Sequence, residues 1–318
     1  MPARGPVIAL TAGDPCGIGP EVILKALAIS SVSSRARWII IGDHAVFEHT
    51  ARRLRRRLPS HATFLDCGHR HRFVPGRSSA EAGRASLAYL DRAIGLWRSG
   101  HIHALVTAPV TKWAVARWAA PGFTGQTEYL ARAIGAREVV MMFVSDRLRV
   151  VVLTRHIPLA RVSRALSQSL IRSAVALTHD ALKRQFRIRH PRLALLGLNP
   201  HAGEEAQIGA EEQRIMRPAL QALRRKGIVC DGPFAADGFF AQPQRYDAVI
   251  CSYHDQGLIP FKMVARDSGC QLTIGLPLVR TSPDHGSALD IAGRGFAHPG
   301  SMIYALKSAA KLAVAGRE

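Results

Sequence analysis

Three histidines are placed where chemistry could be done. His156 follows the apolar run Val150–Leu153, His201 follows Leu193–Leu198 through Asn199-Pro200, and His254 follows Ala248–Ser252 through Tyr253. If each run is a strand of an open α/β sheet, the imidazoles stand beyond carboxyl ends, where loops converge on ligands. Three imidazoles there could bind one divalent ion and leave positions open for substrate, as in a catalytic rather than a structural site. The intervals match no local metal motif. With 14 histidines in the chain, unrelated surface or core histidines are the alternative reading of position alone.

Other polar groups sit on otherwise apolar turns. Thr127, in Phe123–Glu128, could cap the helix that follows or face a ligand. Lys262 follows Ile259-Pro260-Phe261, and Arg280 follows Gly275–Val279. A cation in an apolar setting needs an anionic partner; Arg offers a planar fork suited to phosphate or carboxylate, Lys a point charge. An ordinary ion pair is the plain reading of each. Two glycine-rich turns complete the set. Gly13–Glu21, with Asp14 and Gly17, joins the first strand to the first helix and is not a GxGxxG fingerprint. Asp284–Gly295, with His285, Gly286, Ser287, Ala288 and Asp290, has small residues that would let backbone amides approach a pyrophosphate. Both could also be simple turns.

The elements that must position these groups are legible as an alternation. Val7–Ala12, Trp38–Gly42, Ala104–Thr107, Val139–Val144, Val150–Leu153, Leu193–Leu198, Ala248–Ser252 and Leu272–Ile274 predict strands, several apolar on both faces. Between them Pro20–Ser30, Ala80–Arg98, Thr127–Ile134, Ser163–Gln185, Glu211–Lys226 and Ser301–Ala315 predict helices. That order implies an α/β fold with a largely parallel sheet. Glu138–Leu153 also fits an antiparallel pair turned at Ser145-Asp146.

Composition narrows the class. At 318 residues, 47% hydrophobic and 21% charged, the chain is neither disordered nor fibrous. Five scattered cysteines, Cys16, Cys67, Cys230, Cys251 and Cys270, form no CxxC pair and argue against a disulfide framework or zinc knuckle. The start, Met1–Pro6, has no signal-like apolar region, and no run is long enough to span a bilayer. A soluble, cytoplasmic protein is expected. The 43 Lys+Arg exceed 23 Asp+Glu by 20, yet only Arg52–Arg57 is dense and aromatics are sparse. The excess reads as a solvated surface, or as attraction for an anionic substrate or cofactor, before a nucleic-acid stripe.

The two glycine turns resemble the signatures of the isocitrate/isopropylmalate dehydrogenase-like superfamily, the β-decarboxylating dehydrogenases. TAPVTK (Thr107–Lys112), FTGQTE (Phe123–Glu128), GLNPHAGE (Gly197–Glu204), YHDQG (Tyr253–Gly257) and GLPLVRTSPDHG (Gly275–Gly286) narrow the likeness. Together they resemble the 4-hydroxythreonine-4-phosphate dehydrogenase family of pyridoxal phosphate biosynthesis, from about Val7 to Val314. The resemblance implies that His156, His201 and His254 are metal ligands. It implies that Gln126, Thr127, Lys262, Gln271 and Arg280 line the substrate site, and that Gly13, Asp14, Gly17 and His285–Asp290 meet the cofactor. Two positions depart: the family usually has His where this chain has Gln126, and Asn where it has Gln271. Gln can donate and accept hydrogen bonds but carries neither proton nor charge.

The resemblance further implies two lobes with the active site in the cleft between them. One lobe would be built from residues 1–126 and 276–318, the other from 127–275. It implies a homodimer sharing the metal site, NAD or NADP as cofactor and one Zn, Mg or Co ion per site. The reaction implied is oxidation of 4-phosphooxy-L-threonine to a 2-amino-3-oxo acid, which decarboxylates to 3-amino-2-oxopropyl phosphate. Lys262 and Asp237 are candidate bases. Gln126 and Gln271 favour an alternative: a paralogue acting on another acid, such as 4-phospho-threonate, 4-phospho-erythronate or a cis-dihydrodiol carboxylate.

Overall fold

A computed structural model describes residues 5–69 and 71–315; Met1–Arg4, part of the start read above as lacking a signal, lie outside the described residues. The chain divides into two compact units. One holds the chain up to Arg137 with Asp267–Leu272 and the stretch from Leu276 onward; the other holds Glu138–Arg266 with Thr273–Gly275.

In the first unit, β1 (Val7–Thr11), β2 (Arg37–Gly42), β3 (Ala62–Asp66), β4 (Ala104–Thr107) and β11 (Val279–Ser282) run in the order β3-β2-β1-β4-β11. Every pairing among them is parallel: Ile8 stands opposite both Trp38 and Ala104, and Val279 opposite Ala104. All five residues of β1 are buried, as an apolar run of this kind requires in a sheet covered on both faces. The Gly19–Leu27 helix starts with Pro20 and Glu21 in its first turn, where a missing N–H and a negative charge are both favourable. The Ala80–Arg98 helix is N-capped by Ser79, whose hydroxyl accepts from the Ala82 N–H at 3.2 Å.

In the second unit, β5 (Val140–Ser145) and β6 (Arg149–Thr154) form an antiparallel pair. The Ser145 hydroxyl holds their turn by accepting from the N–H groups of Arg147 and Leu148. β6 then pairs with β9 (Ala248–Tyr253), β9 with β7 (Leu193–Leu196) and β7 with β8 (Cys230–Phe234), all parallel. Val150, Val152, Ala194, Leu196, Val249, Leu258 and Phe261 form the core beneath this sheet. Burying each of the larger ones contributes roughly 1.5–3 kcal/mol.

Several expectations shift. The helix expected over Ser163–Gln185 breaks: Val162–Ala165 stops, and Ser167 caps a new helix, Gln168–Arg184, by accepting from the Leu170 N–H. The one expected over Glu211–Lys226 opens with a π-turn, Glu212–Met216, before Arg217–Arg224. The strand expected to Leu198 ends at Leu196. The helix 126–134 starts at Gln126 behind Gly125, so Thr127 lies inside its first turn and caps nothing. β3, β8 and β11 went unread because they are short and mix polar residues into the pattern. No helix among the described residues is long and apolar enough to cross a membrane.

Candidate active site

β6, β9 and β7 are adjacent and parallel, so their carboxyl ends share one edge of the sheet. His156 lies two residues beyond β6, His254 opens the His254–Ala265 helix directly after β9, and His201 lies five residues beyond β7. The His156 and His254 ring centroids are 5.7 Å apart. Asp255 Oδ1 lies 2.6 Å from His254 Nδ1; a carboxylate on Nδ1 favours the tautomer whose Nε2 lone pair is free to accept.

The edge is stapled. Gln256 accepts from the Ser252 N–H at 2.6 Å and donates to the Gly197 carbonyl at 2.7 Å, tying the end of β9 to the end of β7. Thr154 donates to the Ser252 carbonyl at 2.8 Å, tying β6 to β9. Gly257 lets the helix close onto the sheet, since a Cβ there would meet Val150 Cγ1 at 2.4 Å.

Beyond the staples the backbone is strained. His156 has φ 48°. His201, Ala202, Glu204 and Glu205 have φ between 41° and 54°, with Gly203 at 81°, a left-handed turn. Each non-glycine residue there costs roughly 1–2 kcal/mol, the kind of strain kept where surrounding structure enforces it. Within one chain, and among the described residues, no three His, Cys, Asp or Glu side chains converge on a metal. The donor set fits one all the same: imidazole suits a transition metal such as Zn, two rings meet, and the third hangs from the next strand.

Arg280, in β11, has a different setting. It is 3% exposed. Its Nη1 donates to Thr127 Oγ1 at 3.2 Å and Gln271 Oε1 at 2.5 Å, and its Nη2 to Thr107 Oγ1 at 2.6 Å and Gln126 Oε1 at 2.8 Å. These are as many bonds as the two nitrogens have hydrogens, all to neutral oxygens. Gln126 also donates to the Ala108 carbonyl at 2.9 Å, and Gln271 Oε1 also accepts from Ser282 at 3.0 Å. Burial pushes the guanidinium pKa down to about 10, against the raising charge of Glu128, so it stays cationic at neutral pH. The substrate positions expected at Gln126, Thr127, Gln271 and Arg280 thus come together as one buried cradle.

The two glycine turns also meet. The Ile18 N–H donates to the Ser287 carbonyl at 3.0 Å, and a Cβ at Gly17 would lie 2.8 Å from that oxygen. Gly13, at φ 72°, fits only as glycine, since a Cβ would meet the Pro109 carbonyl at 2.3 Å. The Asp14 carboxylate is spent internally, accepting from the Cys16 N–H and the Ser78 hydroxyl, both at 2.8 Å. The outer turn is more open. A Cβ at Gly286 would meet nothing within 4 Å, Ala288 has φ 43°, and Asp290 is exposed. His285 Nδ1 lies 3.0 Å from the Gly286 carbonyl, and its Nε2 is buried with no hydrogen-bond partner among the described residues. An orphaned ring nitrogen beside an accessible glycine backbone fits a polar cofactor. Cys16 is no candidate nucleophile: burial, then the Asp14 charge, pushes its thiol up to about 12.

Lys262, on the His254–Ala265 helix, and Asp237, on the short Ala236–Phe239 turn after β8, are both exposed. Thr107, Ser282, Gln256 and Glu212 were not singled out from sequence. Glu212 did leave a signal: helical spacing puts it on the same face as Met216, Ala219 and Leu223, all buried.

The full sequence matches the profile of the pyridoxal phosphate biosynthetic protein PdxA family over residues 26–309. The chain belongs to this family. It is 42% identical to the 4-hydroxythreonine-4-phosphate dehydrogenase of Desulforapulum autotrophicum, over 98% of this chain and 96% of that protein. It is also 42% identical to the protein of that name from Chromobacterium violaceum, over 98% of each. Among solved structures, the family's fold recurs in the Klebsiella pneumoniae 4-hydroxythreonine-4-phosphate dehydrogenase, with TM-score 0.87 at 33% identity over 98% of this chain and 99% of that one. A terephthalate 1,2-cis-dihydrodiol dehydrogenase from Burkholderia xenovorans is 32% identical with TM-score 0.66, covering 97% of this chain and 98% of that one.

Proposed function

We propose that this protein oxidises 4-phosphooxy-L-threonine with NAD or NADP, in a reaction that requires a divalent ion. The 2-amino-3-oxo acid formed loses CO2 to give 3-amino-2-oxopropyl phosphate, in pyridoxal phosphate biosynthesis. One observation carries this reading: in a chain akin to named dehydrogenases, His156 and His254 meet at 5.7 Å on a sheet edge that also bears His201.

His156, His201 and His254 would hold Zn, Co or Mg. When bound, the ion acidifies the substrate hydroxyl and the nicotinamide accepts the hydride. The chain's own residues then do the rest. Lys262 or Asp237 takes the hydroxyl proton, and Lys262 otherwise serves as an anion ligand. Arg280, cationic in its cradle of Gln126, Thr127 and Gln271, supplies a fixed positive field for phosphate or carboxylate. His285 Nε2 and the Gly286–Ala288 backbone would engage the cofactor, while Gly13, Asp14 and Gly17 hold the turn beneath them.

A second copy of the chain would complete the metal site. Large apolar side chains flank two of the histidines: Leu159 is 69% and Met263 74% exposed, with Ile157 and Ile259 beside them in sequence. Such exposure near a site that one chain does not close fits a homodimer. A cytoplasmic location accords with the scattered reduced cysteines.

Gln126 and Gln271 favour a second reading, a paralogue for another acid, since both amides are turned onto Arg280. Purified protein should reduce NAD or NADP with 4-phosphooxy-L-threonine, lose that activity to a chelator and regain it with Co, Zn or Mg. Undiminished turnover after exhaustive chelation would remove the metal. Turnover only with 4-phospho-threonate, 4-phospho-erythronate or a cis-dihydrodiol carboxylate would select the paralogue.

A further inference from the structure

Glu212 is a buried carboxylate that the reaction does not use. It is 1% exposed and lies in the π-turn Glu212–Met216, an irregularity that recurs at functional sites. Its Oε1 accepts from the N–H groups of Leu198 and Asn199, both at 2.8 Å, and its Oε2 accepts from Asn199 Nδ2 at 3.0 Å. Asn199 Nδ2 also donates to Glu211 Oε2 at 2.9 Å. These bonds stop β7 two residues short of the expected end and redirect the chain into the left-handed turn that carries His201.

The packing leaves little slack. A Cβ at Gly203 would stand 2.7 Å from Glu212 Oε2, one at Gly197 would stand 2.9 Å from Ala202 Cα, and one at Gly209 would stand 2.4 Å from Asn199 Nδ2. Carboxylate, amide and turn are therefore fitted to each other at three glycines. A left-handed run of non-glycine residues does not hold itself. Something outside the run must over-determine it, and charge-assisted bonds to two consecutive backbone N–H groups are the strongest contacts available.

We propose that Glu212 is a positioning residue for His201: it fixes the Leu198–Asn199 turn and so sets where the imidazole is presented to the metal. The inference rests on the reading of His201 as a metal ligand. Glu212→Gln keeps one acceptor oxygen for the two backbone N–H groups but turns an NH2 toward the Asn199 amide, donor against donor. Glu212→Asp keeps the charge and shortens the reach, a second variant should the first fail to fold.

The test uses the full chain loaded with Co2+. Dissociation constants come from competition with a chelating dye, coordination from the d–d absorption bands, and folding from the melting temperature of the metal-free protein. Glu212→Gln and Glu212→Asp should each weaken Co2+ binding about tenfold and alter the d–d bands. Asn199→Ala, which removes only the side-chain bonds, should do so less. A purely structural Glu212 would lower the melting temperature and leave the Co2+ constant and spectrum as in the wild type, which overturns the proposal. His201→Ala separates the two layers: if it binds Co2+ as tightly as wild type, the metal reading itself falls, and the positioning role with it.

Discussion

Arg280 is buried, cationic and surrounded by four neutral side-chain oxygens that meet its Nη hydrogens. His156 and His201 are solvent-exposed on strained backbone. Both groups sit on or just beyond strands, yet one is enclosed with all four Nη hydrogens bonded to side-chain oxygens, and the other stands open to solvent. A desolvated cation whose Nη hydrogens are all bonded within the protein acts by field and shape and is costly to disturb. An exposed, strained donor set has spent stability to stay available, as is expected where a ligand completes the bonding.

The largest expected effect lies at the histidine edge. His254→Ala should lower kcat/KM by about 100-fold or more, since on the proposed mechanism it removes a ligand of the activating ion. The melting temperature of the metal-free protein should stay close to wild type, because the ring is not part of a core. A loss of activity that tracks a large fall in melting temperature would break the contrast. At Arg280 the two readouts should move together. Arg280→Ala removes one donor from each of four buried oxygens, only one of which, on Gln271, keeps another from Ser282, so stability should fall by about 2–4 kcal/mol in urea titration. KM for a phosphorylated substrate should also rise about tenfold, as the fixed positive field that favours the anion is lost. An unchanged KM would make the cradle structural only.

How far this was legible in the sequence differs between the same two regions. β1, β4, β6, β7 and β9 were readable because buried parallel strands are continuous apolar runs, and so the histidines could be assigned to strand ends. The convergence of Gln126, Thr127, Gln271 and Arg280 was not readable from spacing. Their partners lie up to 173 residues apart in the chain, and only family likeness grouped them. That Arg280 would be met by neutral oxygens rather than an anion was not legible at all, because hydrogen-bond saturation depends on side-chain rotamers. The left-handed turn at His201 was likewise hidden: its alanine and glutamates favour ordinary helix, and tertiary contacts override them.

The glutamines sharpen the comparison at smaller scale. Gln271 Oε1 accepts from both Arg280 and Ser282, whereas Gln126 Oε1 accepts from Arg280 at 2.8 Å while its Nε2 donates to the Ala108 carbonyl at 2.9 Å. Gln271→Ala should cost about 1–3 kcal/mol by leaving buried donors unmet, and should raise KM in proportion. If it instead changes the preferred acid with no stability loss, the amide faces substrate and the cradle is looser than these distances imply.

The smallest effect separates the regions by pH. Glu211 accepts from the Ser163 hydroxyl and from Asn199 Nδ2, and these bonds, Ser163 first, hold its carboxyl below its ordinary value. A depressed carboxylate contributes stability above its unfolded pKa and loses it as pH falls through the folded one. The stability gap between wild type and Glu211→Gln should therefore be present at neutral pH and close as the solution is acidified below the usual glutamate range. The Arg280 pKa is also lowered, so stability again rises with pH, but only in an alkaline window. Burial lowers its pKa to about 10, so the unfolded state binds the extra proton only between that value and the ordinary arginine range. Its contribution is flat through the acid range and changes only in strong alkali. Urea midpoints of Glu211→Gln and Arg280→Ala, each set against wild type across the acid range, should thus converge for the first variant and run parallel for the second. Parallel curves for Glu211→Gln would mean that its hydrogen bonds to Ser163 and Asn199 are not maintained in solution, and that the anchoring of the His201 turn rests on Glu212 alone.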